Sequence, residues 1–143
     1  MKHLFDNLFV CGQLTEADFK GLKESGITTI INNRPDDEEP GQLNSERAAQ
    51  LAQGLDMAYH YLPMVNGQAM PDNLINDFKS IIDQAEGNIL AHCRSGMRSS
   101  FIWALGQIPT GAISVDQAID SAVAAGIPLN NARAALESVQ PNS

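Results

Sequence analysis

The sequence predicts an α/β fold in which helices flank a mostly parallel sheet of about four or five strands. Short runs rich in Val, Ile and Phe alternate with longer stretches whose apolar residues recur at helical spacing. Gly, Pro and short polar clusters separate these runs, as expected at the ends of strands and helices. No repeat or linker interrupts the alternation, so we expect one domain over residues 1–143.

The first half of the chain is predicted to hold two strands and two helices. Leu8–Cys11 is the first predicted strand, and Thr15 is expected to cap a helix because acidic residues follow it. Ile27–Asn32 is rich in β-branched residues and is the second predicted strand. A long polar loop over 33–44 follows, and a stretch of this length without regular structure is either functional or mobile. Ser45 is then expected to cap the second helix.

The second half repeats the pattern. Residues 57–62 are the third predicted strand, and Pro71 suits the first turn of the amphipathic helix after it. Residues 89–92 form a short strand that we expect at the centre of the sheet. A helix over about 99–108 carries few polar residues and is therefore predicted to be buried. Two Ala-rich helices are expected within 114–138.

The segment 89–99 carries the most specific signal for chemistry. An apolar strand is followed by a loop that begins at Cys93, and this loop leads directly into the start of a helix. The unpaired amides and the positive dipole end of a helix start favour a thiolate, and loop amides can hold an oxyanion. Gly96 lets the loop turn so that these amides converge. Arg98 can grip two oxygens of a tetrahedral anion, and Ser99 is expected to donate to the thiolate.

Cys93 is therefore the predicted nucleophile of an anion site, with Arg98 and Ser99 as the other catalytic candidates. The remaining candidates for anion or substrate binding are Arg94, Ser95, Gly96, Met97 and Arg34. His92 either tunes the thiolate or is a core histidine satisfied by backbone groups. In the alternative to this interpretation, Cys93 is a small buried hydrophobe and the two arginines of its loop, Arg94 and Arg98, pair with acids. Cys11 is expected in the core rather than as a resolving thiol.

Composition excludes several classes of function. The formal net charge of −8 disfavours nucleic acids and anionic membranes as partners, whereas the cysteine loop with its arginines favours a small anionic substrate. No apolar run approaches the roughly 18 to 20 residues that span a bilayer, and we expect a cytoplasmic protein. The three histidines show no ligand spacing, so neither a metal nor another cofactor is expected. The sequence carries no signal for an oligomeric state.

Three further motifs accompany the cysteine loop, namely GQLT at 12–15, INNRPD at 31–36 and EPGQ at 39–42. With these motifs the chain resembles, over nearly its whole length, the phosphatase-like domain of the bacterial beta-lactamase-hydrolase-like family. The resemblance implies a three-layer fold of the protein-tyrosine-phosphatase and dual-specificity-phosphatase type, with the cysteine at the carboxyl end of a strand. Related domains occur beside persulfide-handling enzymes, and the family is variously labelled phosphatase or sulfurtransferase.

Two departures from the phosphatase pattern bear on the reaction. Four residues separate Cys93 from Arg98, whereas tyrosine and dual-specificity phosphatases carry five, and the shorter loop resembles that of rhodaneses. Those phosphatases also place an acidic residue, their general acid, after the strand that corresponds to the third predicted strand, but 63–66 holds no acid. Asp72 is the nearest candidate, although it also suits the first turn of a helix. Asp36 and Asp37 are weaker candidates.

The leading hypothesis from the sequence is a sulfurtransferase. Cys93 attacks the outer sulfur of a donor such as thiosulfate, holds it as a persulfide and passes it to a thiol or cyanide, and no general acid is needed. The alternative is a phosphatase in which Cys93 forms a phosphocysteine, Arg98 clamps the phosphoryl oxygens and Ser99 assists release of the thiolate. A third hypothesis is an anion-binding or redox-sensing module, favoured if Cys93 pairs with Cys11.

Overall fold

The computed structural model describes residues 1–141 and contains a five-stranded sheet in the spatial order β1-β2-β5-β3-β4. The strands are β1 (Lys2–Phe5), β2 (Leu8–Cys11), β3 (Ile27–Asn32), β4 (Ala58–Tyr61) and β5 (Asn88–His92). The helices are α1 (Asp18–Glu24), α2 (Ser45–Gly54), α3 (Leu74–Gln84), α4 (Met97–Gln107), α5 (Val115–Ala124) and α6 (Arg133–Glu137). Short 3-10 turns follow α4 at Ile108–Thr110 and precede α6 at Leu129–Ala132.

The sheet is mostly parallel, as the sequence predicts. Strands β2, β5, β3 and β4 run in the same direction, and β1 pairs antiparallel with β2 as a hairpin. At the carboxyl ends of the three inner strands, Cys11 and Asn32 both pair in register with His92. The loops that follow these three residues therefore leave the sheet side by side, which is the arrangement that usually forms a site in such folds.

Helices cover both faces of the sheet, which confirms the three-layer architecture. Alternate residues of β5 enter two separate apolar clusters: Ile89 and Ala91 face the cluster formed with α3, α4 and α5, and Leu90 faces the one formed with α1 and α2. All three side chains are fully buried. Complete burial of one such aliphatic side chain contributes about 1.5–3 kcal/mol, so β5 is a rigid support for the loop that follows it.

Helix α4 is buried around nearly its whole circumference, as predicted, but it begins at Met97, about two residues before the predicted start. The polar side chains at its buried start have hydrogen-bond partners. The hydroxyl of Ser100, for example, donates to the carbonyl of Gly96 over 2.9 Å. Although α4 is apolar, no helix within residues 1–141 has the length and apolarity needed to cross a membrane.

Two differences from the predicted elements lie near the N-terminus. Strand β1 was not predicted, because Lys2 and His3 are polar, exposed residues of an edge strand. Helix α1 begins at Asp18 rather than at Thr15. The Asp18 carboxylate accepts hydrogen bonds from the amide and the hydroxyl of Thr15, so these residues form a turn before the helix starts.

Two further helix starts also differ from the prediction. Asn44 caps α2, and its side chain accepts from the amide of Arg47, whereas the predicted cap Ser45 is the first helical residue and bonds to Asp36. Pro71 lies before α3 rather than in its first turn, in a turn closed by its carbonyl. Helix α3 keeps its predicted amphipathic character, with Leu74 and Phe78 buried, because apolar spacing rather than the start of the helix decides which side packs on the sheet.

Candidate active site

The loop that carries Cys93 connects the buried end of β5 to the start of α4. Cys93 is 1% exposed, and its Sγ accepts a hydrogen bond from the amide of Gly96 over 3.1 Å. Gly96 has a φ of 92°, a region that residues with a side chain rarely adopt. The tight turn therefore aims a backbone N–H at the sulfur.

The end of β2 packs directly against this loop, and Gly12 makes the approach possible. A Cβ at Gly12 would lie 2.7 Å from the carbonyl oxygen of Arg94, which is closer than van der Waals contact allows. The neighbouring carbonyl of Cys11 accepts from the amide of Cys93 over 3.5 Å. The glycine that opens the motif at 12–15 is thus required by the position of the cysteine loop.

The two exposed residues of the loop contribute backbone donors. The side chains of Arg94 and Ser95 face solvent, and the Ser95 hydroxyl accepts from the amide of Met97 over 3.4 Å. Among the residues the structure describes, the amides of Arg94 and Ser95 have no protein acceptor. Together with the start of α4 they form a set of donors suited to the oxygens of an anion.

Arg98 is held in a defined orientation by three hydrogen bonds. Its Nη1 and Nη2 donate to the two carboxylate oxygens of Glu38 over 2.9 and 2.7 Å, and Nη1 also donates to the carbonyl of Met64 over 2.8 Å. A guanidinium has five N–H donors, so Nε and one hydrogen of Nη2 remain. These two point along the same edge of the planar group, which is the edge that binds two oxygens of a carboxylate or phosphate.

Charge around Arg98 is balanced by neighbouring anions. Burial lowers the pKa of Arg98, but the hydrogen bonds and charge of Glu38 and the charge of Cys93 outweigh this effect, so the pKa is raised overall. The contribution of Cys93 reflects its closeness to the guanidinium. The arginine therefore keeps its charge beside the predicted nucleophile.

Glu38 joins two arginines and was not singled out by the sequence analysis. In addition to Arg98, it accepts from Nε of Arg34 over 2.8 Å. The hydrogen bond from Arg98, supported by Arg34 and opposed by partial burial, lowers the pKa of Glu38 below its ordinary value of 4.5. The alternative, in which Arg94 and Arg98 pair with acids, thus holds for Arg98 alone, because Arg94 is exposed and forms no ion pair within the described residues. The pairing with Glu38 leaves one edge of Arg98 free.

Arg34 acts on the site through Glu38, since its side chain is fully buried. Its Nη1 donates to Oε1 of Gln13 over 3.1 Å, which ties the motif at 12–15 to the one at 31–36. Its Nη2 lies 3.1 Å from the Glu39 carboxylate but outside hydrogen-bonding geometry. The expectation that Arg34 binds substrate directly therefore does not fit its burial.

Ser99 does not donate to Cys93, in contrast to the prediction. Its hydroxyl is buried and donates to Oδ1 of Asn33 over 2.8 Å. Nδ2 of the same Asn33 side chain donates to the backbone carbonyl of Leu62, and the backbone amide of Asn33 donates to the backbone carbonyl of His92. Ser99 thus fixes the start of α4 to the ends of three strands, because the sheet register places Asn33 beside the cysteine loop.

His92 is a neutral core residue. It is 2% exposed and its Nδ1 has no hydrogen-bond partner. Its pKa is lowered to about 4, mainly by burial. A hydrogen bond with the backbone of Cys93 raises the pKa in part, and the positive charge of Arg34 lowers it further. At neutral pH this histidine therefore adds no positive charge beside Cys93.

Cys11 remains a thiol, in agreement with its expected place in the core. Burial is the main cause that raises its pKa, to about 12. Its Sγ donates to the carbonyl of Gly12 over 3.2 Å, and the side chain packs against the cluster under α1 and α2. A protonated, packed thiol of this kind is a poor resolving partner for Cys93.

Of the three predicted acid candidates, Asp36 is engaged in hydrogen bonds, and Asp37 and Asp72 make no side-chain hydrogen bond within the described residues. The Asp36 carboxylate accepts from the amide and hydroxyl of Ser45 and so fixes the loop over 33–44 to α2. Asp37 and Asp72 are exposed, and Asp72 lies in the turn before α3 rather than in its first turn. Within residues 1–141, no three side chains of metal-ligating type cluster together.

Glu38→Gln is expected to destabilise the fold by about 1–2 kcal/mol at pH 7. Buried Arg34 then loses the carboxylate that accepts from its Nε and keeps only the half-exposed Glu39 as a charged neighbour, and the effect is limited because Glu38 is itself partly exposed. Since the fold lowers the pKa of Glu38, its contribution is present above pH 4.5 and lost as the pH falls below it. The difference in melting temperature between the wild type and the variant should therefore narrow below pH 4.5.

The matched control for this prediction is Glu16→Gln. Glu16 pairs with Arg47 over 3.0 Å, but both side chains are about half exposed. A pair of this kind contributes about 0–1 kcal/mol, so the control should melt close to the wild type at every pH. Equal shifts in the two variants would contradict the structural role assigned to Glu38.

The structure has the protein-tyrosine-phosphatase-like fold. In this class of folds, helices cover both faces of a sheet of this order, and a cysteine loop connects a central parallel strand to a buried helix. The kinase-associated phosphatase has this fold, with a TM-score of 0.71 at 18% identity over 92% of this chain and 86% of that one. A candidate phosphatase from Neisseria meningitidis is more similar, with a TM-score of 0.86 and 34% identity over 97% of both chains.

The chain belongs to the family described as "Beta-lactamase hydrolase-like protein, phosphatase-like domain", whose profile matches residues 1–110. The resemblance drawn from the motifs is thereby confirmed. The beta-lactamase hydrolase-like protein of Agrobacterium fabrum is 36% identical over 108 residues, which are 76% of this chain and 25% of the relative. The chain thus spans about a quarter of the length of this curated relative.

Proposed function

We propose that this protein is a cysteine-dependent phosphatase that hydrolyses small phosphate esters. One observation carries the proposal: Arg98 is fixed beside Cys93 by Glu38 and Met64 while two of its N–H donors stay free on one edge. That edge matches two oxygens of a phosphoryl group, and the amides of Arg94 and Ser95 suit the remaining oxygens. The phosphatase-like family and the similar Neisseria structure support the same reaction.

The proposed reaction has two steps. The thiolate of Cys93 attacks phosphorus, and the bond to the leaving oxygen breaks to give a phosphocysteine. Water then attacks phosphorus and the thiolate leaves, helped by the amide of Gly96 that already donates to Sγ. Arg98 and the loop amides stabilise the charge on the equatorial oxygens in both transition states. Asn33 and Ser99 hold the helix start in place and do not contact the reacting atoms.

Sulfur transfer, the leading hypothesis from the sequence, takes second place. The similar proteins described above give it no support, and the phosphatase-like family favours the alternative. One observation keeps it as a competing outcome: four residues separate Cys93 from Arg98, as in rhodanese-like loops. A small loop can hold a persulfide sulfur as well as a phosphoryl group, so the two reactions need a direct comparison.

The test measures both reactions on the reduced wild-type protein. One sample receives an aryl phosphate and is assayed for phosphate release, and the other receives thiosulfate and is examined by intact mass. The proposal expects catalytic phosphate release and no stable sulfur adduct. A one-sulfur adduct that cyanide removes, without phosphate release, would replace the proposal with sulfur transfer.

The proposal includes the wider expectations from the sequence. We treat residues 1–143 as one domain, and the contacts of α5 with α4 and with β1 support this assignment. The substrate is a small anion, and a cytoplasmic location stays a prediction from composition. The longer relatives leave room for further domains, so the activity proposed here is that of the phosphatase-like part alone.

A further inference from the structure

We propose that this site acts on phosphate monoesters and acyl phosphates whose leaving groups depart as stable anions, without a proton from the protein. This inference rests on the proposed phosphatase function and names its substrate class. It follows from where the acidic side chains of the described chain lie and what they bond to. The stretch 63–66 holds no acidic residue, which favoured sulfur transfer in the sequence analysis. In a phosphatase, the same absence limits the substrates to those with good leaving groups.

The carboxylate nearest to Arg98 has no capacity to give a proton. Both oxygens of Glu38 accept hydrogen bonds, Oε1 from Arg34 and Arg98 and Oε2 from Arg98. These hydrogen bonds, the one from Arg98 most of all, lower the pKa of Glu38 below its ordinary value of 4.5, so the carboxylate is ionised at neutral pH. Glu38 therefore orients Arg98 and is excluded as the general acid.

The loop that would carry an acid approaches Arg98 with a backbone carbonyl instead. Met64 supplies that carbonyl, and the stretch 63–71 between β4 and the turn before α3 contains no acidic residue. Asp72, the next acid along the chain, is exposed and makes no hydrogen bond within the described residues. His92 is buried and neutral at neutral pH, so it holds no readily released proton.

The surroundings of the loop indicate which leaving groups fit. Tyr61 and Val65, at the end of β4 and in the loop after it, are 37% and 38% exposed, so the rim carries apolar surface on this side. The acidic stretch 36–39 lies beside this surface, since the amide of Asp36 donates to the hydroxyl of Tyr61 over 2.9 Å, and the chain has a formal charge of −8. Aromatic and acyl groups suit such a rim better than polyphosphate groups do, because like charges repel.

The balanced reaction needs no further reactant besides water. Sγ of Cys93 forms a bond to phosphorus as the P–O bond breaks, and the electron pair leaves on the phenolate or carboxylate oxygen. Water then adds to phosphorus, the P–S bond breaks, and its electron pair returns to the Cys93 thiolate. Both protons of the water leave with inorganic phosphate, so the first step involves no proton transfer.

The experiment compares a series of substituted phenyl phosphates whose leaving phenols have pKa values from about 7 to about 10, the value of a tyrosine-like phenol. We expect log(kcat/KM) to fall steeply along the series, by about tenfold for each pKa unit, since one unit corresponds to 1.36 kcal/mol. Acetyl phosphate should be turned over with the fast members. An enzyme with a general acid would show a shallow dependence.

Asp72→Asn is the matched variant, and it should leave both the rates and the slope within about twofold of the wild type. A shallow slope in the wild type that becomes steep in Asp72→Asn would overturn the inference and identify Asp72 as the acid. A shallow slope in both proteins would overturn it as well, while the phosphatase proposal would stand. If no member of the series released phosphate, both the proposed function and this inference would fail.

Discussion

Cys93→Ser is expected to lower phosphate release to the level of buffer, a loss on the order of 10³ or more. A serine hydroxyl is protonated at neutral pH, and no base in contact with this position is available to activate it, since His92 lies buried with a pKa of about 4. The amide of Gly96 would bond a neutral hydroxyl instead of a thiolate. The measurement is phosphate release from an activated aryl phosphate at pH 7.

Cys11→Ser is the control for this loss. Its thiol is not part of the proposed machinery, and its hydrogen bond to the Gly12 carbonyl can be made by a hydroxyl. We expect activity within about threefold of the wild type. Circular dichroism and melting temperature should show that both variants fold. Substantial activity in Cys93→Ser, or an equal loss in both variants, would remove Cys93 as the nucleophile.

Arg98→Lys is expected to lower kcat by about 10²–10³, although the positive charge remains. A lysine has no planar pair of donors, so it cannot bind Glu38 with one edge and two phosphoryl oxygens with another. The ammonium group would pair with Glu38, which also keeps its bond from Arg34. Because this contact is made mainly in the transition state, KM should change much less than kcat.

Arg133→Lys is the matched control, because Arg133 forms an exposed pair with Asp116 far along the sequence from the cysteine loop. Its kcat and KM should equal those of the wild type. The prediction would be wrong if Arg98→Lys kept kcat within threefold of the wild type. The transition state would then not depend on a guanidinium that binds Glu38 with one edge and two phosphoryl oxygens with another.

The sequence predicted the elements whose physical causes are local. Apolar spacing and β-branched content located Ile27–Asn32 at its observed limits, and the apolar character of α4 predicted its burial. The exposed edge strand Lys2–Phe5 was missed, since it forms by pairing with its neighbour rather than by its own composition. Capping at Asn44 was missed by one residue because Asn and Ser compete for the same role.

The candidate site was predicted only where its residues are consecutive. The loop from Cys93 to Arg98 was found from its order along the chain, but the Glu38 contact depends on how a long loop folds across the sheet edge. A general rule could have indicated it, since buried arginines require acceptors and an acidic stretch follows Arg34. The hydroxyl of Ser99 was assigned to the wrong acceptor for a similar reason: Asn33 becomes its neighbour only through the sheet register.

The contacts that complete the site span long stretches of chain, and this has a consequence for folding. Arg98 meets Glu38 across 60 residues and Ser99 meets Asn33 across 66. Closing such loops costs entropy that only an assembled sheet and core repay, so contacts of this kind form late in folding. A short fragment of the chain therefore cannot form the anion site around Cys93 and Arg98. Loss of activity in denaturant should therefore coincide with unfolding of the whole sheet, and activity serves as a reporter of global folding.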